Sequence, residues 1–202
     1  MQNSLVVGNT ASGHCAVIDP GFAPQLLIDT IQKLGWTPDA ILLTHGHVDH
    51  IAGNAALKRQ WPDLPIFIGR GDAPMLGDSR LNLSASSGFD IVSPPADRLL
   101  DEGDTVLEAG FEFAVRHIPG HSPGHIVYIL AGCQPPIVLG GDVLFQGSIG
   151  RTDFPGGSQA ILVEGIRRKL FTLPDETLVY PGHGETTTIG EERQTNPYCA
   201  EK

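Results

Sequence analysis

The sequence predicts a mixed α/β protein, because short apolar runs alternate with segments of helical periodicity and with turns rich in glycine and proline. The chain has 202 residues and a hydrophobic content of 41%, which is ordinary for a globular protein and enough for a substantial core. No stretch of proline, glycine and serine is rich enough to act as a linker. We therefore predict one domain over residues 1–202.

In the first half of the chain, the patterns predict two helices and three strands. Residues 24–34 carry apolar side chains at positions 26, 27, 31 and 34, which is the spacing of one helix face. A second helix is predicted at 54–60. Short apolar runs predict buried strands at 15–18, 40–43 and 66–68. Residues 69–97 are rich in Gly, Pro, Asp and Ser and lack a period, so we expect an irregular surface loop with a helical turn.

The second half of the chain adds a hairpin, three strands and a helix. Residues 105–108 and 111–118 are predicted to form the hairpin, with Ala109 and Gly110 at its turn. Residues 159–170 are amphipathic with helical spacing. Further apolar runs predict strands at 126–130, 137–139 and 178–180.

The most informative segment runs from Thr44 to His50, reads THGHVDH and directly follows a predicted strand. Imidazole and carboxylate groups are the ligands of borderline divalent metals such as Zn²⁺, Mn²⁺ and Fe²⁺. Side chains alternate along an extended segment, so His45 and His47 can point the same way. Asp49 and His50 cannot easily share that direction, and they suit a second ion close by.

Three further ligand candidates lie far downstream, and each follows an apolar segment that ends in glycine. They are His121 in PGHSPGH, Asp142 after IVLGG and His183 after LVYPG. Glycine lets the backbone turn sharply, so side chains from separate strands can converge. Together with the THGHVDH segment, these residues predict a metal centre built at the ends of several strands.

On these motifs the chain resembles the metallo-β-lactamase-fold superfamily, and most of all its short glyoxalase II-type members, the hydroxyacylglutathione hydrolases. The resemblance covers nearly the whole chain, in order, and is carried by residues 18–21, 44–50, 119–125, 141–142, 150–154, 180–184, 188–193 and 196–197. It implies a four-layer αββα sandwich, with the site in the cleft between two sheets.

The resemblance also implies which residues bind metal. The ligands of a first ion are His45, His47 and His121. The ligands of a second ion are Asp49, His50 and His183, and Asp142 bridges the two ions. We expect two divalent metal ions, with zinc favoured and iron or manganese as alternatives, because His and Asp accept all three.

Two such ions that share a water acidify it, and its pKa can fall from 15.7 to about 7. The expected reaction is attack of the metal-bound hydroxide on an acyl carbon. Asp49 is the catalytic candidate, because it binds a metal and can also orient the hydroxide or take a proton.

Three more residues are candidates for supporting roles. Asp19 has a family counterpart beneath the site, where it partners a histidine ligand, although Asp19 also suits the cap of the turn that follows it. His125 supports a ligand, lines the pocket or is purely structural. Arg151 corresponds to a basic residue that holds a carboxylate of the glutathione moiety in the resembled enzymes, and a salt bridge with Asp153 is the alternative.

The chain departs from the resembled family at both ends. Members usually carry a further strand before the segment that matches Gln2 to Val7, so either the start was assigned late or a sheet lacks an edge strand. A missing strand would leave backbone groups unpaired and favour association with another chain. Longer glyoxalase II enzymes also have a helical C-terminal extension that supplies most glutathione contacts, which argues against tight glutathione recognition here.

Composition limits the partners and the compartment. The formal net charge of -10 and the pI near 5.1 argue against binding to nucleic acid, whose phosphates need clustered Lys and Arg. The sequence has no apolar run of about 18 residues and no visible secretory signal, so we expect neither membrane insertion nor export. The 3 widely spaced cysteines favour reduced thiols and a cytoplasmic location. We expect a monomer or a small homo-oligomer that acts on a small thioester or ester.

The predicted function is hydrolysis of thioesters such as S-D-lactoylglutathione, which yields a hydroxy acid and a free thiol. A persulfide dioxygenase with one Fe²⁺ is an alternative that resembles the chain at 150–154 and 191–197, but it usually differs at the place of Pro181 to Gly184. A lactonase of the same fold is a further alternative. A scaffold without catalysis fits poorly, because seven ligands exceed the four of a structural zinc site.

Overall fold

A computed structural model describes residues 2–200 of the protein, and its first five strands form one sheet. The strands are β1 (Leu5–Asn9), β2 (His14–Ile18), β3 (Thr37–Leu42), β4 (Ile66–Gly69) and β5 (Arg98–Leu100). They lie in the order β1-β2-β3-β4-β5, with β1 antiparallel to β2 and all other neighbours parallel.

The later strands form a second sheet and a small separate hairpin. They are β6 (Thr105–Glu108), β7 (Phe111–His117), β8 (Ile126–Leu130), β9 (Ile137–Gly141), β10 (Leu144–Phe145), β11 (Ser148–Ile149), β12 (Leu178–Pro181) and β13 (Thr187–Thr188). The hairpin consists of β10 and β11, and the sheet has the order β13-β12-β9-β8-β7-β6. Only β9 and β12 are parallel neighbours in that sheet.

Residues 2–200 contain five α-helices: α1 (Pro24–Leu34), α2 (Val48–Ile51), α3 (Asn54–Gln60), α4 (Gln159–Gly165) and α5 (Ile189–Thr195). Helix α1 begins with Pro24, which suits a first helical position, and ends at Gly35 in the left-handed conformation. The side chains of Ser158 and Thr188 cap α4 and α5 by accepting a backbone N–H from the first turn. Shorter elements are 3-10 turns at Arg70–Gly77 and Ala85–Ser87, and a π-turn at Ile166–Leu170 that continues α4.

Side chains of the first sheet alternate between two apolar layers, as the pleat of a strand requires. On β2, Cys15 and Val17 belong to the cluster that includes the buried faces of α1 and α3. The alternating residues Ala16 and Ile18 belong to the cluster formed with the second sheet. Alternate residues of one strand therefore pack against a helix layer on one side and against the second sheet on the other.

The outer face of the second sheet is covered by α4 and its π-turn. Leu162, Ile166 and Leu170 pack there in one buried cluster with Val127 and Ile129 of β8. The molecule thus has a helix layer, two sheets and a second helix layer. This four-layer αββα sandwich confirms the predicted fold class.

Several elements agree with the sequence patterns, and several had not been predicted. Helices α1 and α3 and the β6–β7 hairpin lie where the apolar periodicity placed them. Strand β1 and helices α2 and α5 had not been predicted. Neither had β5, β10, β11 and β13, which have two or three residues each, too few to show a period. Within residues 2–200, no helix combines the length and the apolar character needed to cross a bilayer.

Candidate metal centre

The predicted ligands converge at one end of the sandwich, where loops from both sheets meet. The THGHVDH segment follows β3 and continues into α2. His121 lies in the loop between β7 and β8, Asp142 directly follows β9, and His183 lies two residues after β12. Strand ends of both sheets therefore deliver the side chains to a common point.

A first group consists of His45, His47 and His121, whose ligand atoms lie within 4.8 Å of one another. The Nε2 atom of His121 is 2.9 Å from Nδ1 of His47 and 3.3 Å from Nε2 of His45. All three side chains are buried. Three imidazole nitrogens that face one point form the kind of donor set that holds a divalent cation.

A second group consists of Asp49, His50 and His183, again with ligand atoms within 4.8 Å. Asp49 Oδ2 is 3.0 Å from His183 Nε2 and 3.6 Å from His50 Nε2. Asp142 lies between the two groups. Its Oδ2 is 3.6 Å from Nε2 of both His121 and His183, and its Oδ1 is 3.4 Å from Nε2 of His50.

Asp19 lies beneath the site and orients two of the histidines. Its Oδ2 accepts hydrogen bonds from the Thr44 hydroxyl at 2.6 Å and from His50 Nδ1 at 3.0 Å, and its Oδ1 accepts the Thr44 N–H at 2.7 Å. Because the single hydroxyl proton of Thr44 goes to Asp19, His45 Nδ1 is the donor in its 3.1 Å contact with that hydroxyl. The Nε2 atom of His45 then carries a lone pair directed into the site, and Nε2 of His50 also faces the site, where a metal would take the place of its proton.

His121 and His125 are oriented in a similar way but face different partners. His121 Nδ1 donates to the carbonyl of Arg151 at 2.8 Å, which leaves its Nε2 for the site. His125 Nε2 accepts the backbone N–H of Asp142 at 3.0 Å, and its ring stacks on His45 with centroids 4.7 Å apart. His125 therefore supports the backbone that carries Asp142, one of the roles considered for it.

Electrostatics keep the first group neutral. Burial, together with repulsion from neighbouring histidines, lowers the pKa of His47 to about 3 and lowers the pKa of His45 well below its ordinary value. Burial also lowers the pKa of His121. Neutral imidazoles keep the lone pairs that a metal needs.

Charge pairing dominates in the second group. Burial opposes a charge on His50, yet the nearby Asp142 and Asp19 raise its pKa well above the ordinary value. The hydrogen bond that His183 Nε2 donates to Asp49 raises the pKa of His183. Although burial alone would raise the pKa of Asp142, the charge of His50 lowers it, so this carboxylate is ionised at neutral pH.

Several observations test whether a cation fits between the groups. Nε2 of His50 and Oδ1 of Asp142 are buried and have no hydrogen-bond partner among the described residues. Unsatisfied groups of this kind cost about 1–3 kcal/mol each, and a divalent ion between them would satisfy both. Gly182 keeps the space open, because a Cβ there would collide with Asp142 and lie 2.7 Å from His50 Cε1. The residues present therefore fit a divalent metal.

A pocket of about 460 Å³ opens over both groups, within the usual range for small-molecule sites. Arg151 lies on its wall and pairs with Asp153 at 2.9 Å, both side chains being 67% exposed. Its guanidinium also lies 4.4 Å from the centre of the Phe154 ring. The salt bridge considered as the alternative for Arg151 is therefore present, in a residue that also lines the pocket.

The sequence patterns missed Asp72, which is fully buried in the 3-10 turn after β4. Its Oδ2 accepts from the Ser122 hydroxyl at 2.5 Å and from the Gly46 N–H at 3.2 Å, and its Oδ1 accepts the Gly124 N–H at 2.5 Å. Asp72 thereby ties the segment between His45 and His47 to the loop of His121. Its partners lie 26 to 52 residues away along the chain, so no local spacing could reveal it.

Comparisons with known proteins agree with this geometry. The family model for the metallo-beta-lactamase superfamily matches residues 1–183. The chain is 41% identical over 187 residues to the probable metallo-hydrolase YqgX of Bacillus subtilis, with 92% of this chain and 87% of that protein covered. It is 37% identical over 195 residues to the hydroxyacylglutathione hydrolase GloC of Haemophilus influenzae, with 94% and 89% covered.

Two solved structures are also similar. The crystal structure of the BLEG-1 B3 metallo-beta-lactamase superposes with a TM-score of 0.93 at 38% identity, over 99% of this chain and 95% of that chain. The crystal structure of TTHA1623 in a di-iron-bound form superposes with a TM-score of 0.85 at 39% identity, over 98% and 95%.

Proposed function

Because the chain belongs to the metallo-β-lactamase superfamily, we propose that it is a metal-dependent hydrolase of thioesters, S-D-lactoylglutathione or a similar compound. The observation that carries this proposal is the position of Asp142, whose carboxylate faces both groups of ligand candidates. A carboxylate placed in this way suits two ions that act on one substrate. The similarity to a hydroxyacylglutathione hydrolase supports the same reaction.

In the proposed centre, His45, His47 and His121 would hold one ion, and Asp49, His50 and His183 would hold the other. Asp142 would contribute to both sites. Divalent ions held there would lower the pKa of a bound water to about 7 and polarise the acyl carbonyl. Zinc remains our proposal for the metal, although the similar TTHA1623 has a di-iron-bound form, so iron is the first alternative to test.

Asp49 is the proposed proton acceptor. The hydrogen bond from His183 and the charge of His50 outweigh burial and lower its pKa, so it is an ionised carboxylate at neutral pH. In the proposed reaction the water oxygen bonds to the acyl carbon, and Asp49 takes the released proton. The carbon–sulfur bond then breaks, and the thiolate leaves and is protonated. The products are a carboxylic acid and a free thiol.

Arg151 is the proposed contact for a carboxylate on the thiol part of the substrate. A guanidinium can donate two parallel hydrogen bonds to a carboxylate. Arg151 lines the pocket, and its exposed pair with Asp153 is weak enough to be exchanged for a substrate carboxylate.

The alternatives fit the site less well. A mononuclear iron dioxygenase needs one ion with two histidines and one aspartate, and that would leave several of these seven side chains without a ligand role. A lactonase would use the same centre, but a lactone offers no thiol-linked carboxylate for Arg151. Oxygen uptake with glutathione persulfide, measured beside release of free thiol from thioesters, separates the first alternative from the proposal.

The proposed centre is tested by replacing Asp142. We expect Asp142→Ala to lower both the metal content per chain and the turnover of thioesters, because the shared ligand is lost. Metal is measured by elemental analysis, and turnover by release of free thiol. Asp142→Asn keeps the shape and removes the charge, and exposed Asp63→Ala serves as the matched control. Full metal content and unchanged turnover in a folded Asp142→Ala protein would reject the two-ion scheme.

A further inference from the structure

A second, smaller cavity of about 190 Å³ adjoins the metal pocket, and we name it the side pocket. Most of its lining is apolar and includes Pro74, Met75, Leu81, Pro123 and Pro155, while the exposed Arg80 adds a cationic side chain. Its volume lies below the range of about 300–1,000 Å³ that suits drug-sized ligands, so it is sized for a small group rather than a whole substrate. Its lining contains no acidic side chain.

The side pocket adjoins the metal pocket. His47, Leu83 and Phe154 line both cavities and therefore form the boundary between them. The ring of Phe154 stands edge-on to His47, with centroids 5.2 Å apart. A substrate whose carbonyl lies over the metal centre therefore has a mostly apolar space on the far side of Phe154.

A strained and well-anchored residue lies at the boundary between the two cavities. Leu83 has a φ of 70°, in the left-handed region that a leucine adopts only at a cost. The preceding Asn82 is buried and fixes this conformation. Its side-chain amide donates to the backbone carbonyls of Ile91 at 2.8 Å and Met75 at 3.2 Å. Its backbone carbonyl accepts the Val48 N–H at 2.9 Å. Through Asn82, the strained leucine is thus anchored to Met75 of the side pocket and to Val48 of the THGHVDH segment.

From this geometry we infer that the side pocket binds the acyl chain of the substrate, and that the preferred acyl group is an apolar group larger than lactoyl. This inference deepens the proposed function and rests on it. A thioester has two arms, and Arg151, the proposed contact of the thiol arm, lines the metal pocket and not the side pocket. The acyl arm is then the one that enters the side pocket. Burying each added methylene there should raise kcat/KM about fourfold.

The test uses the metal-loaded protein and a series of thioesters with one fixed thiol and acetyl, butanoyl and hexanoyl acyl groups. We expect kcat/KM to rise about fifteenfold from acetyl to butanoyl, which adds two methylenes. Leu81→Asp introduces a carboxylate into the wall of the side pocket, and we expect it to reduce that ratio to below about threefold. Val92→Asp is the matched control, because Val92 is also exposed on this loop and lines neither cavity.

The possible outcomes separate a failure of the side-pocket inference from a failure of the proposed function. If the acetyl thioester is hydrolysed but kcat/KM is flat or falls with chain length, the side-pocket inference is overturned while the proposed function stands. A rise that persists in Leu81→Asp also overturns it, as does a Leu81→Asp effect that follows the thiol rather than the acyl group. If no thioester is hydrolysed at all, the proposed function fails and the acyl assignment fails with it.

Discussion

At the scale of single residues, the metal centre depends on which nitrogen of each imidazole carries the proton. Asp19 and the Arg151 carbonyl accept hydrogen bonds from the outward Nδ1–H of His50 and His121, and the Thr44 hydroxyl accepts one from His45. These partners orient the inward Nε2 atoms toward the site, where each binds a metal in the neutral form of its ring. Changing a partner should therefore weaken metal binding even though the ligand itself is intact.

The low pKa of His47 predicts how the metal-free protein responds to acid. Its pKa is about 3 in the folded chain and ordinarily 6.5, so the unfolded chain binds more protons between these values. The free energy of unfolding should therefore fall as the pH drops through this window, by about 2 kcal/mol from this residue between pH 7 and pH 5. Urea unfolding after chelation, compared between wild type and His47→Ala, measures this contribution.

Other histidines also contribute to the pH dependence of the free energy of unfolding. His45, His121 and His125 have lowered pKa values and act in the same sense as His47. His50 and His183 have raised pKa values, and their contributions are lost only as the pH rises through those values. If wild type and His47→Ala lose the same stability between pH 7 and pH 5, the account of His47 is wrong.

Arg151 gives a prediction about substrate binding. We expect Arg151→Ala to raise KM about threefold for glutathione thioesters and to leave KM for thioesters of an uncharged thiol nearly unchanged, because only the former offer a carboxylate to the exposed guanidinium. Steady-state kinetics on both series measures the difference. Asp153→Ala is the matched control, since it frees Arg151 and should not raise KM. An equal effect of Arg151→Ala on both series would contradict the proposed contact.

At the scale of elements, the loops that deliver ligands are held by groups outside the metal centre. The 3-10 turn after β4 carries Asp72, which accepts hydrogen bonds from both histidine loops. Burial raises the pKa of Asp72, so its ionised form is maintained by the surrounding donors rather than by solvent. The first group of ligands is therefore positioned by an element that contributes none of them.

Replacing Asp72 should disturb both stability and metal binding. Asp72→Ala leaves three buried donors without an acceptor, and we expect a loss of about 3 kcal/mol in the free energy of unfolding. Asp72→Asn keeps the volume but cannot accept from all three donors, so a folded protein with weaker metal affinity is expected. Urea unfolding and metal titration measure the two effects, with Asp63→Ala as control. Wild-type metal affinity in folded Asp72→Asn would show that Asp72 does not position the ligands.

At the scale of the whole molecule, the site needs both sheets, and the start of the chain joins them. The backbone N–H of Asn3 donates to the Gly182 carbonyl at 2.7 Å, next to His183. The side chain of Gln2 donates to the Asp19 carbonyl at 3.0 Å. The segment therefore spans from the Asp19 loop of the first sheet to the His183 loop of the second. The prediction of a single domain agrees with a site shared in this way and stays a prediction.

The sequence by itself determined the chemistry of the ligands and the long elements. Histidine and aspartate at fixed spacing in THGHVDH predict a metal site, and periods of two and of about 3.6 residues predict strands and helices, because both signals lie within a few neighbouring residues. The same local signals placed α1, α3 and the β6–β7 hairpin. They also located the glycines that precede His121, Asp142 and His183.

Only the tertiary structure decided how these parts meet. It placed Asp142 between two groups of ligands, Asp72 between two loops, and Leu83 in a left-handed conformation between two cavities. Each of these facts joins residues that are far apart along the chain. They depend on the packing of the two sheets and on the paths of the loops between them, which no local pattern encodes.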